Sequence, residues 1–194
     1  MQRSYFLKKI FMDPLDILAE IYGRYSKTFE ILAAHGRQVA QKALVAAKKV
    51  AHLQPDQDFI HNAALLHDIG ILHTASPGFG CHGKYPYICH GYLGRELLDE
   101  IGLPQYGLIS ERHIGAGISC DDIRKFKLPL PQRDMVPVSI EEQIICYADK
   151  FFSKNGNGQL PNSEKSVEQI IRSLKAHGRD QVCRFQMWDK LFGK

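Results

Sequence analysis

The chain has 194 residues, 44% of them hydrophobic and 24% charged, with a formal net charge of +4. That length predicts a single domain, 1–194, able to bury its core without disulfides or structural metal, so any metal bound serves chemistry rather than folding. The mild positive charge suits a small anionic substrate and falls short of a nucleic-acid footprint, since Lys48-Lys49 and Arg124-Lys125-Phe126-Lys127 are short enough to be solvated faces.

Residues 1–12 carry Arg3, Lys8 and Lys9 around short apolar runs, without a long apolar region or a small-residue cleavage site. No run is long enough to span a bilayer, so no membrane association is expected. Asp13-Pro14 opens a first helix over about 13–24. Ser26 caps a long second helix on which Leu32, His35, Val39, Ala43, Ala46 and Val50 share a face. Asp56 or Asp58 starts a third, with Ile60, Ala63, Ala64 and His67 inward and Gly70 as its stop. Residues 74–86, rich in Gly, Pro and Ser, read as a loop. Helices follow over about 88–101, 104–114 and 121–126. Ser139 caps another, with Ile145, Asp149 and Phe152 on one stripe. Asn155-Gly156-Asn157-Gly158 is a break, Ser163 caps a further helix through Ala176, and Asp180 a short terminal one. No segment has strand periodicity, so the fold class is all-α.

Five cysteines, Cys81, Cys89, Cys120, Cys146 and Cys183, include no CxxC pair. They read as reduced thiols of a cytoplasmic protein, and no tight pair anchors a zinc knuckle at Cys81-His82 and Cys89-His90. His35, His67 and Asp149 are polar where the periodicity asks for apolar residues. A buried carboxylate is costly unless paired or metal-bound, although exposure at a helix edge serves Asp149 equally well. Asp68 stands at a helix C-terminus, where the dipole disfavours negative charge. Either a cation offsets that cost, or Asp68 is partly exposed and makes a local turn bond.

The order His35, His67-Asp68, Asp149, with Leu66-His67-Asp68-Ile69-Gly70 inside it, resembles the HD superfamily of metal-dependent phosphohydrolases in its HDIG variant. The resemblance covers roughly residues 28–152. It implies a helical bundle with its HD core over about 26–153 and a C-terminal helical appendage over 163–192. His90 in His-Gly-Tyr-Leu-Gly-Arg-Glu-Leu-Leu and His113 in Glu-Arg-His-Ile-Gly-Ala-Gly match the extra histidines of two-metal members. The resemblance then implies one ion on His35, His67, Asp68 and Asp149, and a second on His90, His113 and a bridging Asp68. Such ligands suit iron, manganese, zinc or nickel alike. The chain is also similar to small stand-alone HDIG proteins and, more widely, to bacterial dinucleoside-polyphosphate hydrolases. Its 113–149 segment is longer than theirs, and Tyr-Ala-Asp-Lys-Phe-Phe replaces their Leu-Ala-Asp-Lys-Ile.

The activity implied is hydrolysis of a phosphate ester or anhydride in a small nucleotide-like substrate. Paired ions lower the pKa of a bridging water and neutralise phosphoryl charge. Asp68 is the pivotal ligand, and Lys150 and Arg112 are the candidates to meet the leaving group. Arg37 and Arg95 lie near ligands too, and all four arginines and lysines have an equally good solvent-facing reading. The 76–85 loop is either a substrate lid or a plain surface loop. His52, His61, His73 and His177 read as surface or satisfied residues, and Phe151-Phe152 and Met187-Trp188 as packing. A mixed-valent di-iron oxygenase and a non-catalytic metal-bearing regulatory domain are the alternative functions. A homodimer is left open.

Overall fold

The computed structural model describes residues 13–153 and 164–193. Local capping chemistry sets most helix starts. Helix α1 (Pro14–Tyr22) begins with the Asp13 carboxylate accepting from the Leu15 amide at 2.8 Å and Pro14 in the first turn, and Gly23, at φ +80°, ends it. Helix α2 (Lys27–Lys49) is capped by Ser26. Its predicted face is buried along its whole length, from Leu32 through His35 and Val39 to Ala46, with Val50 beyond it. Asp56 caps α3 (Gln57–Leu66), and Ser139 caps α7 (Ile140–Asp149), whose first turn carries Glu141 and Glu142.

Between them lie α4 (His90–Glu100), α5 (Pro104–Arg112) and α6 (Cys120–Phe126), the last opened by a reciprocal Ser119–Asp122 capping box. Helices α8 (Val167–Lys175) and α9 (Arg179–Phe192) close the chain. The predicted all-α class holds: among the described residues the only strands are two-residue pieces, β1 (Ala75–Ser76) and β2 (Cys81–His82), paired antiparallel within the 74–86 loop. No helix among the described residues is long and apolar enough to cross a membrane.

Several expected boundaries move. The 88–101 helix starts at His90 after a 3-10 turn over Tyr87–Cys89, and the 104–114 helix ends at Arg112. Ser166, with Gln169 completing a capping box, opens α8. The expected cap at Ser163 and the break at 155–158 lie outside the described residues. The terminal helix, expected to be short and capped by Asp180, follows Gly178 and runs 14 residues to Phe192, with Phe185, Trp188 and Phe192 on a buried face. Gly70 is not a helix stop. Helix α3 ends at Leu66, and Gly70 sits inside a 3-10 turn, Ile69–His73. A Cβ there would lie 2.1 Å from the His90 carbonyl oxygen and 2.3 Å from the Gly94 nitrogen, so the glycine lets α4 cross against the turn.

Three apolar clusters fill the interior. One joins the C-terminal part of α2 with α3, α7, α8 and α9; a second joins α1, the start of α2 and the 3-10 turn; a third joins α4 to the 118–135 excursion. The candidate ligands fall where the clusters meet. His35 stands between Leu32 of the second and Val39 of the first, His67 follows Ala64 of the first and Leu66 of the second, and His90 stands between Cys89 and Leu93 of the third.

Candidate metal centre

Five elements converge at that seam. α2 supplies His35, the end of α3 supplies His67 and Asp68, α4 starts with His90, His113 follows α5, and Asp149 is the last residue of α7. All six are buried, none more than 7% exposed. The structure therefore brings together every residue of the expected ligand set. Asp68 is not a partly exposed turn residue, and Asp149 is not at a solvent edge.

The Asp68 carboxylate divides the set. Its Oδ2 lies 3.1 Å from His67 Nε2 and 3.4 Å from His35 Nε2, and its Oδ1 lies 3.2 Å from His90 Nε2 and 3.4 Å from His113 Nε2. Asp149 Oδ1 joins the first group, 3.0 Å from His35 Nε2 and 3.5 Å from His67 Nε2. Ligand atoms of His35, His67 and Asp149, and likewise of His67, Asp68 and His113, all fall within 4.8 Å of one another, which is metal-ligand spacing.

Three imidazoles are oriented in the same way. Nδ1–H donates to a carbonyl three residues earlier: His67 to Ala64 at 2.6 Å, His90 to Tyr87 at 2.6 Å, His113 to Ser110 at 2.7 Å. With the proton on Nδ1, Nε2 presents a lone pair to the centre. His90 and His113 then aim two Nε2 atoms at each other across 3.1 Å. His67 Nε2 is buried and makes no hydrogen bond of proper geometry. A cation between these groups satisfies both conditions, so the donor set fits metal.

The electrostatics differ across the carboxylate. Burial pulls the His67 pKa down, but the Asp68 and Asp149 carboxylates outweigh it and hold it up at about 9. Burial pushes His113 down, and His67 and His90 add to that against the pull of Asp68, leaving it at about 3.

A supporting layer fixes the ligands. The Tyr22 hydroxyl donates to the Ile69 carbonyl at 2.6 Å and accepts from the Leu72 amide at 2.9 Å, locking the turn that follows Asp68 to α1. Ser110 Oγ donates to the His67 carbonyl at 2.8 Å. Lys150 Nζ lies 2.7 Å from Asp149 Oδ2 and donates to the His113 carbonyl at 3.0 Å, bridging the two ligand groups. The turn after His113 is clamped from α9: Gln181 Oε1 accepts from the Ala116 amide at 3.0 Å, and Arg184 donates to the carbonyls of Ala116 and Gly117, each at 2.7 Å. Cys146, its thiol pushed up to about 12 by burial, lies 3.4 Å from the His113 carbonyl.

The other expected cations are placed differently. Arg112 pairs with Glu142 through Nη1, at 2.8 and 2.9 Å, in a side-chain pair of its own. Arg95 pairs with Glu111, which is 1% exposed and also takes Arg133, while Arg37 is exposed. His52, His61, His73 and His177 are all exposed. The 74–86 loop is anchored rather than free: Thr28 Oγ1 donates to the Phe79 carbonyl, Phe79 and Cys81 enter the core, and Phe79 stacks on Tyr87, which leans on His90. That anchoring ties the loop to the core.

Sequence reasoning missed Tyr22, Ser110, Glu111, Gln181 and Arg184. Glu111 opens the run Glu-Arg-His-Ile-Gly-Ala-Gly but drew no attention beside His113, and the other four stand in no motif; each gains its role from a partner remote in the chain.

An open cleft reaches the centre, with a volume of ≈ 720 Å³ out to bulk solvent. His90, His113, Asp149 and Lys150 line its floor, and Lys165, Ser173 and His177 its opposite wall.

The chain matches the HD domain family over residues 32–153, more than half its length. An uncharacterized protein of Methanocaldococcus jannaschii is 38% identical over 129 residues, which are 66% of this chain and 69% of that one. Two tRNA (cytidine(56)-2′-O)-methyltransferases also match, each 34% identical. For that of Thermoplasma volcanium the match covers 79% of this chain and 39% of the relative; for that of Picrophilus torridus, 60% and 31%. The chain thus spans less than half of either methyltransferase. No solved structure matches significantly. This chain belongs to the HD domain family, a superfamily of metal-dependent phosphohydrolases.

Proposed function

We propose that this HD-domain chain hydrolyses a phosphate ester or anhydride in a small nucleotide-like substrate, using two divalent or transition metal ions. The observation that carries this reading is the division of Asp68 between two sets of imidazoles, His35 with His67 and His90 with His113. When bound, such ions lower the pKa of water toward neutrality and neutralise phosphoryl charge.

The residues of the chain do the rest. His35, His67 and Asp149 would hold one ion and His90 and His113 the other, with Asp68 available to both. The backbone bonds hold a proton on Nδ1 and aim Nε2 of His67, His90 and His113 inward, where a bound cation would take the place of any second proton. Lys150 adds a cation at the cleft floor, where it steadies Asp149 and the His113 carbonyl and lowers the cost of negative charge on an incoming phosphate. Arg112 serves by holding Glu142 rather than by touching the leaving group. The methyl-transfer activity in the names of the two tRNA relatives is not proposed for this chain, but those names put ribonucleotides first among compounds to try.

The test is metal content of protein purified without chelator, paired with phosphate release from a nucleotide panel. About two metals per chain with release from one compound class is the expected result. Two irons per chain with oxygen uptake and no phosphate release replaces the proposal with the oxygenase. Failure to bind metal after reconstitution refutes it.

A further inference from the structure

A second chamber adjoins the metal cleft. Ile114, Gly115 and His177 belong to the walls of both, so a ligand with its phosphate over the centre extends into the chamber without leaving the surface. Its cavity volume is ≈ 260 Å³, just under the range of whole small-molecule sites and suited to one part of a ligand rather than all of it.

We infer that this chamber, between Ile88, α6 and the α8–α9 corner, is the site for a planar heteroaromatic base carried by the phosphate substrate. The inference rests on the phosphohydrolase reading above. Ile118, Phe126 and Leu128 give the chamber apolar walls, and Phe126 is 45% exposed, a large aromatic left with accessible surface at the site. The polar groups of the lining are Asp122, His177 and Gln181. Two of them are held in fixed poses. The Gln181 amide is oriented by its bond from the Ala116 amide, and the Asp122 carboxylate by bonds from the Ser119 amide and hydroxyl. A saturated alkyl group would fill the walls and offer nothing to the remaining hydrogen-bonding capacity of these polar groups; a bare sugar would pair with them and waste the walls. A flat ring with apolar faces and donors and acceptors on its edge uses both.

The chamber also divides the labour of the chain. The metal ligands all lie within residues 32–153, the family match, whereas Ala176, His177 and Gln181 come from α8–α9 beyond it. The appendage therefore selects the base while the family core handles the phosphate.

Ala176→Trp, an exposed position of the lining, fills the chamber without touching the core. Phe126→Leu removes the aromatic face but keeps apolar volume, and does not depend on Ala176→Trp folding. The probes are the phosphate-free nucleosides adenosine, guanosine, cytidine and uridine, titrated calorimetrically into metal-loaded protein, with phosphate release followed from the matching nucleotides and from β-glycerophosphate. At least one nucleoside binds the natural protein, and each variant weakens it by about tenfold or more and raises KM for its nucleotide in step. Turnover of β-glycerophosphate stays unchanged. The inference is overturned if no nucleoside binds, if neither variant weakens binding, or if both substrate types lose activity equally. Nucleoside binding that both variants weaken, with no phosphate released from any compound, keeps the base site and removes the hydrolase reading.

Discussion

The two ends of the Asp68 carboxylate face unlike surroundings. On the Oδ2 side, His35 and His67 share a second carboxylate, Asp149, and the ligands come from the long helix α2 and from the ends of α3 and α7. On the Oδ1 side, His90 and His113 meet Asp68 from the start of α4 and the turn after α5. The same contrast appears in the imidazoles, with His67 held at about 9 by two carboxylates and His113 pushed to about 3 by burial and its histidine neighbours. On the proposed two-metal reading, the second carboxylate makes the Oδ2 side the stronger cation site. The Oδ1 side depends on its supports: the close crossing at Gly70 and Gly94, and the clamp from α9.

That asymmetry sets an order of effects. Asp68→Ala is expected to be the most severe, because both sides lose their common ligand: metal content falls to near zero and phosphate release to background. Near-stoichiometric metal in that variant would break the two-sided picture. His113→Ala is expected to abolish activity but leave about one metal per chain, retained on the Oδ2 side; loss of all metal would show that the sides are not separable. Gly70→Ala forces a Cβ against the His90 carbonyl. Over-packing of that kind costs about 1–3 kcal/mol, lowering Tm by roughly 2–12 °C in calorimetry, with the second metal lost before the first on dialysis. Gln181→Ala is the mildest. It removes one support of the His113 turn and is expected to weaken the second metal by about 10–100-fold, leaving the first untouched. Metal titration distinguishes this from a merely structural effect, which would weaken both.

Much of the architecture was legible because the signals were local. Asp13, Ser26 and Ser139 are legible as caps from a short polar side chain ahead of an apolar period, with Asp56 one of two candidate starts beside Asp58, and each of the four accepts a bond from its own first turn. His35, His67 and Asp149 were legible as polar interruptions of inward faces, and all are buried. Gly70 was misread because a glycine after a helix carries the same local signal whether it supplies a left-handed turn or makes room for a neighbour, and the neighbour here, α4, lies twenty residues on. The terminal helix was expected to be short; Phe185, Trp188 and Phe192, at helical spacing, carry it through 14 residues by packing with α2 and α7.

By itself the sequence pointed to the helical class, to several caps and to six candidate ligands, since periodicity and short motifs are properties of neighbouring residues. Only the tertiary structure decided how the ligands divide about Asp68, that Lys150 bridges them while Arg112 turns to Glu142, that Glu111 is buried between Arg95 and Arg133, and that α8–α9 walls the cleft. Those facts depend on distances between residues tens of positions apart. Such distances are set by how three apolar clusters close on one another, and no local pattern encodes them.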